Sequence, residues 1–205
     1  MTANPLPILF FGGTFNPPHS GHVHIISYVI QHMKFEHIYV VPAFHPPHKS
    51  QTDQVDFKDR LEMTRIIFLQ NRNAANVDVS DMEKYLPAPS YTYRTLRYLK
   101  EIHPRSKVFL LTGMDMYQNL NQWKNYNELR TNYNFIVLKR LNMENPVISE
   151  GDIMLDNPFW NVSSNKLREN IAKYYKTLDN KLKHELESLL TKELLEYIIH
   201  RKLYQ

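Results

Sequence analysis

Cysteine is absent from the 205 residues, and glycine occurs only five times. The first absence excludes disulfides and thiolate metal sites and lends no support to an oxidising destination, so a reducing cytoplasm is the expectation. Long apolar runs are missing too: no stretch approaches membrane-spanning length, and Met1–Leu6 lacks the basic start and apolar body of a signal peptide. A soluble protein with no membrane partner is expected. Nor is charge of one sign concentrated anywhere. Lysine and arginine total 25 against 21 acids, a net charge of +4 with pI near 9.1, but the cations are scattered and intermixed with acids. That excludes a nucleic-acid stripe while remaining compatible with nucleotide phosphates. No internal repeat, low-complexity tract or charged tail is visible, and the length fits a single domain with a substantial core.

What is present is an alternation of short β-branched runs with longer segments of helical period. Strands are expected at Ile8–Phe11, Ile38–Val41, Val77–Val79, Val108–Thr112, Phe135–Leu138 and Ile153–Leu155. Between them, Val23, Ile26, Ile30 and Met33 share one helical face, as do Leu61, Thr64, Ile67 and Phe68, and again Leu96, Leu99 and Ile102. Ser90, after Pro87-Ala88-Pro89, is placed to cap the third helix. Such βαβ alternation predicts an α/β, doubly wound parallel sheet with helices on both faces. After Pro158 the pattern turns wholly helical through Asn165–Tyr175, Lys181–Leu190 and Lys192–Leu203. One domain over 1–205 is expected, with an α/β core over 1–156 and a small helical layer over 157–205. Leu141–Gly151 is the least patterned stretch and reads as a surface connection.

The stretch Phe10–Ile26, FFGGTFNPPHSGHVHII, carries the densest chemistry. A strand ending in Gly12-Gly13 and feeding a helix presents backbone N–H groups at a helix N-terminus, where an anion is favoured. In an open parallel sheet, ligands gather at that carboxyl edge. His19 and His22 lie three apart, so on a first helical turn they project from the same side. They suit either of two roles: hydrogen-bond donors to a triphosphate, or metal ligands. A second cluster, Pro42-Ala43-Phe44-His45-Pro46-Pro47-His48-Lys49, follows the second strand, and Lys49 can reach in as a mobile point charge.

With these residues in view, the chain resembles the bacterial nicotinate-mononucleotide adenylyltransferases, nucleotidyltransferases with a histidine-x-x-histidine motif. The resemblance rests on GGTFNPPHSGH, PPHK, SYTYRTL at Ser90–Leu96, GMD followed by Trp123, FIVLKR at Phe135–Arg140, WNVSSNKLR at Trp160–Arg168 and YIIHRKLY, in the family's order over nearly the whole length. It implies direct in-line transfer of AMP from ATP to nicotinate mononucleotide, with no covalent enzyme intermediate. Mg²⁺ would be held mainly through the ATP phosphates. It also implies that the backbone of Gly12, Gly13, Thr14 and Phe15 cradles those phosphates, with His19, His22 and Lys49 stabilising charge and Arg168, Ser163 and Ser164 forming a second clamp. Gly113 and Asp115 match the ribose-binding position; Tyr91 and Thr92 match the capture of the nicotinate carboxylate, and Trp123 the ring that stacks on nicotinate. The chain departs from the family at Asn16, usually aspartate, and at Asn165, usually threonine.

Other readings stay open at this point. A sister transferase would take nicotinamide mononucleotide or phosphopantetheine instead. A zinc hydrolase would use His19, His22, His45 and His48, although neither cluster carries a carboxylate companion. A nucleotide sensor or RNA-binding module would suit the basic pI and the 13 tyrosines, but lacks an interleaved basic and aromatic motif. A homo-oligomer is left open.

Overall fold

Successive residues of strand β1, Ile8–Gly13, point to opposite faces of a sheet and so feed two separate cores. Ile8 and Phe10 join one buried cluster, and Leu9 and Phe11 the other. The computed structural model describes residues 5–47, 55–69, 76–141 and 143–205. In chain order β1 is followed by α1 (Ser20–His32), β2 (His37–Pro42), α2 (Phe57–Leu69), β3 (Val77–Val79), α3 (Thr92–Ile102) and β4 (Val108–Gly113). Then come α4 (Met114–Gln118), α5 (Tyr126–Asn132), β5 (Asn134–Leu138), β6 (Ile153–Leu155), α6 (Ser164–Thr177), α7 (Asn180–Leu190) and α8 (Lys192–His200).

All six strands pair in parallel, in the order β3-β2-β1-β4-β5-β6. Because β1 has β2 on one side and β4 on the other, the winding direction reverses between β1 and β4. At such a switch point the connections leave in opposite directions and open a crevice at the carboxyl edge. The doubly wound expectation is met, with β1 and β4 each reaching a glycine beyond the apolar run that announces it. Among the described residues of Leu141–Gly151 there is neither helix nor strand, as expected.

One cluster packs Leu96, Leu99, Tyr117 and Leu129 from α3, α4 and α5 on one face of the sheet. On the other face, Ile26, Val29, Met63 and Ile67 of α1 and α2 belong to the same cluster as Leu167, Leu186, Leu190, Leu194 and Ile198 of α6 to α8. Caps mark where those last helices begin. Ser163 Oγ accepts from Lys166 N–H at 3.2 Å, and Asp179 Oδ1 accepts from Lys181 N–H at 2.8 Å. Thr191 Oγ1 does the same for Leu194 N–H at 3.3 Å.

One expectation is corrected. Ser90 does not cap α3: Tyr91 holds that position with no side-chain bond, and Ser90 Oγ instead accepts the His45 backbone N–H at 2.9 Å. The hydroxyl ties two loops together and leaves the first amides of α3 to other partners. Among the described residues, no helix is long and apolar enough to cross a membrane.

Leu186 is fully buried between the helical layer and the sheet. Leu186→Ala should lower the unfolding free energy by about 2–5 kcal/mol, the cost of lost transfer energy plus a residual cavity, as measured by urea denaturation.

Candidate active site

A cleft of about 810 Å³ opens where β1 and β4 end, and Gly12, Gly13, Thr14, His19, His22, Tyr91, Thr92, Gly113, Trp123 and Ser163 all line it. These residues come from five separate stretches of sequence. A larger hollow of about 1080 Å³ lies beyond the Pro46-Pro47 turn, walled by Phe44, Phe57 and Lys84. It contains neither histidine of the pair nor Trp123.

The glycine turn is there because aromatic rings press on it. A Cβ on Gly12 would lie 2.7 Å from the Phe10 ring, and one on Gly13 would lie 3.0 Å from the Phe15 ring. Phe15 adopts a left-handed φ of 48°. Its ring is held edge-on to Phe11, His22 and Phe68, with centroids 5.5, 5.1 and 6.3 Å away. An aromatic residue in that region of backbone space needs such packing to stay there. Phe15 therefore shapes the loop from inside, and it is not among the residues lining the cleft.

His19 sits at the N-cap of α1, and its backbone N–H donates to His22 Nδ1 at 3.1 Å. The second imidazole is thereby oriented: with Nδ1 accepting, the proton of neutral His22 resides on Nε2, the atom free to donate. The two rings stack with centroids 3.7 Å apart and planes 27° from parallel. His19 is only 7 % exposed, and its Nδ1 is buried with no hydrogen-bond partner. Burial, aided by the charge of Arg140, lowers the His19 pKa to about 4. Burial, the His19 ring and Arg140 together hold His22 well below the ordinary histidine value. At neutral pH both rings are uncharged donors. An incoming polyanion would offset both the burial and the repulsion that keep them so.

Arg140 lies at the opposite wall. Its Nε donates to Asp115 Oδ1 at 3.2 Å, and both side chains are about half exposed, at 50 % and 46 %. Gly113, at the N-cap of α4, makes room for this pair: a Cβ there would collide with Asp115 Oδ1 and lie 3.0 Å from Arg140 Nε. Sequence reasoning missed Arg140, although a basic pair, Lys139-Arg140, directly after a parallel strand at the ligand edge is a readable signal. Asp115 is engaged by Arg140 and does not itself line the cleft.

Buried charge fastens the loops. Arg60, 2 % exposed, donates to Thr14 O at 2.9 Å, Val55 O at 3.2 Å and Phe44 O at 3.4 Å. Burial lowers its pKa to about 10, which leaves it cationic at neutral pH. Glu83 accepts from the Phe44 N–H at 3.2 Å and the Thr95 hydroxyl at 2.8 Å. Its pKa is raised by burial, with Ser90, Thr95, Phe44 and Arg60 opposing the rise. The sequence carried no local signal for either residue, since an arginine and a glutamate in helical segments read as solvated.

The acceptor end is built differently. Tyr91 caps α3 and Thr92 begins it, and both line the cleft; the Tyr91 N–H donates to Pro89 O at 2.8 Å, and no side chain caps the helix. Trp123 is partly buried and packs against the cluster under α4 and α5. Arg168 and Ser164 do not line the cleft: Arg168 Nη1 donates to Asn16 O at 2.8 Å, its Nη2 to Asn165 Oδ1 at 3.0 Å, and Ser164 Oγ to Pro17 O at 2.8 Å. Lys49 and His48 lie outside the described residues. Among the described residues, no group of three or more His, Asp or Glu side chains is placed to hold a metal ion; His19, His22 and His45 form no such group.

Residues 10–170 match a family model described as cytidylyltransferase-like, which with the parallel sheet and its edge cleft makes this an α/β nucleotidyltransferase. A probable nicotinate-nucleotide adenylyltransferase of Fusobacterium nucleatum is 33 % identical over 199 residues, covering 93 % of this chain and 100 % of that one. The nicotinate-nucleotide adenylyltransferase of Bacillus subtilis is 30 % identical, covering 95 % and 96 %. The chain belongs to the nicotinate-nucleotide adenylyltransferase family. Its fold is that of a Plasmodium falciparum nicotinic acid mononucleotide adenylyltransferase solved with NaAD, with TM-score 0.79, 21 % identity and 97 % of each chain covered.

The burial of His19 as a neutral ring makes stability depend on pH. Between about 4 and the ordinary value of 6.5 the unfolded chain binds a proton that the folded chain refuses. This contribution leaves stability highest above 6.5 and erodes it as pH falls toward 4. Urea midpoints at about pH 7 and about pH 5 should differ more for the wild-type chain than for His19→Gln. Equal differences in the two proteins would contradict the neutral burial of His19.

Proposed function

We propose that this enzyme transfers AMP from ATP to the phosphate of nicotinate mononucleotide, giving nicotinate adenine dinucleotide and pyrophosphate. The observation that carries the reading is a single cleft with two unlike ends. One holds a glycine turn, a stacked histidine pair and Arg140; the other holds the start of α3 and Trp123.

The reaction is an in-line displacement at the α-phosphorus of ATP. An acceptor phosphate oxygen attacks, the bond to the bridging oxygen breaks, and pyrophosphate departs with that electron pair. No covalent intermediate or strong base is required, because the nucleophile is already an anion. The protein's work is to position the reactants and stabilise charge as it moves to the leaving group. His22 Nε2–H is assigned to the transferring phosphate and the adjoining His19 ring to the leaving phosphates. The amides of Gly12, Gly13 and Thr14 lie beneath them, with Arg140 opposite and Lys49 adding charge from the second loop. Asp115, held by Arg140, is assigned to the ribose. Ser163 at the start of α6 faces the phosphates, whereas Arg168 and Ser164 hold the first loop in place.

At the other end, the uncapped first turn of α3, from Thr92 on and beside the Tyr91 side chain, would take the nicotinate carboxylate. An anion is favoured there by both the free donors and the helix dipole, and a neutral amide is not. The flat ring of Trp123 suits stacking on the pyridine. Mg²⁺ would arrive on the triphosphate, held by phosphate oxygens and water with no dedicated protein cage among the described residues. Once bound, it neutralises phosphate charge.

Pyrophosphate release with ATP and each of nicotinate mononucleotide, nicotinamide mononucleotide and phosphopantetheine tests the reading directly. The first should give the highest kcat/KM, by at least about tenfold, and release should stop on chelation of Mg²⁺. Preference for phosphopantetheine would overturn the assignments of Thr92 and Trp123. His22→Ala should depress kcat by about 10²-fold with little change in ATP affinity, because its contact strengthens in the transition state. Trp123→Ala should raise the KM for the mononucleotide about tenfold and leave the KM for ATP close to its original value, as initial-rate kinetics would register.

A further inference from the structure

We propose that Tyr204 is a positioning residue for the histidine pair, acting through Asn16; the proposal rests on the adenylyl-transfer reading of the cleft. Between Gly13 and His19 the chain crosses the mouth of the sheet through Phe15, whose φ of 48° puts a bulky residue in left-handed backbone. A loop of that kind keeps its shape only if contacts on several sides determine it.

Those contacts come from two directions. From below, Arg60 Nη1 donates to Thr14 O at 2.9 Å. From the helical layer, the Tyr204 hydroxyl donates to Asn16 Oδ1 at 2.8 Å, across 188 positions of sequence. Arg168 and Ser164 bind the neighbouring carbonyls of Asn16 and Pro17, each at 2.8 Å. Asn16 is 2 % exposed and stands three residues before His19. Its Oδ1 also accepts the Val55 N–H at 3.4 Å, which links the loop to the entry of α2. Burial pushes the Tyr204 phenol up from its ordinary value, so it remains a hydroxyl donor throughout the working pH range.

The route from this bond to the chemistry is short. Asn16 fixes the loop, the loop fixes His19 at the cap of α1, and the His19 backbone N–H sets the tautomer and orientation of His22 at 3.1 Å. Only Pro17 and Pro18 separate Asn16 from His19, so a displacement at Asn16 has a short covalent path to the cap and to His22. Tyr204 touches neither substrate nor reacting atoms, so it affects rate through placement alone.

Tyr204→Phe keeps the ring and removes only the hydroxyl. It should lower kcat about tenfold, leave both KM values within about twofold, and keep most of the thermal stability. Long-range ¹H–¹⁵N spectra of the imidazoles should show the His22 Nδ1 resonance moved, a readout independent of turnover. Asn16→Ala reaches the same bond from its other end, and combining the two substitutions should add little to either alone. Unchanged kcat with an unmoved His22 resonance would overturn the proposal, as would losses that simply add in the double variant. If the wild-type chain released no pyrophosphate but the His22 resonance still moved in Tyr204→Phe, the transfer reading would fail while the positioning held.

Discussion

A single buried guanidinium organises the ligand edge of this protein. Arg60 sits among the carbonyls of Thr14, Phe44 and Val55, which belong to the loop after β1, the loop after β2 and the entry to α2. A planar cation with five fixed donors can satisfy three carbonyls from three directions, whereas a lysine ammonium offers a compact, strongly hydrated charge. Without it, three partly buried carbonyls would lose their shared donor and the loops their common tie. Glu83 completes the arrangement by accepting the Phe44 N–H, so both polar groups of one residue in the second loop are held by buried charges. The rest of the site is laid on this foundation.

On it, the cleft keeps its resting charge modest. The two histidines are neutral through burial and mutual proximity, and the Arg140 guanidinium is balanced by Asp115. Neutral N–H donors fixed in place carry little desolvation penalty before the substrate arrives, and they need no reorganisation as charge shifts during transfer. In the proposed acceptor end, the helix start at Thr92 would add positive potential from the backbone.

How much of this was legible in the sequence varied with the kind of signal. Six short β-branched or apolar runs named the six strands: the four central ones are buried on both faces and leave a nearly continuous hydrophobic mark, whereas the edge strand Val77–Val79 shows alternation, with Asp78 exposed. The glycine and histidine stretch named the ligand edge, since Gly12, Gly13, His19 and His22 have few other uses together. Ser90 was misread because a hydroxyl before a helix resembles a cap, and only the fold shows that His45 lies within its reach. Arg168 and Ser164 look like phosphate ligands in one dimension; the structure adds their bonds to the Asn16 and Pro17 carbonyls, which no local pattern announces. Arg60 and Glu83 were invisible, as nothing local distinguishes a buried charge from a solvated one. The bond of Tyr204 to Asn16 spans a separation that no pattern of period 2 or 3.6 can encode.

That separation has a consequence for the order in which the molecule comes into being. Contacts between distant parts of a chain form late, because loop closure must precede them. The loop after β1 is held by a side chain synthesised 188 positions afterwards, and α7 and α8 share a buried cluster with α1 and α2. A nascent polypeptide that already carries both imidazoles is therefore still an unassembled catalyst. Competence arrives with the closing turn of the helical layer, so an incomplete translation product would hold the histidine motif without the geometry that makes it work.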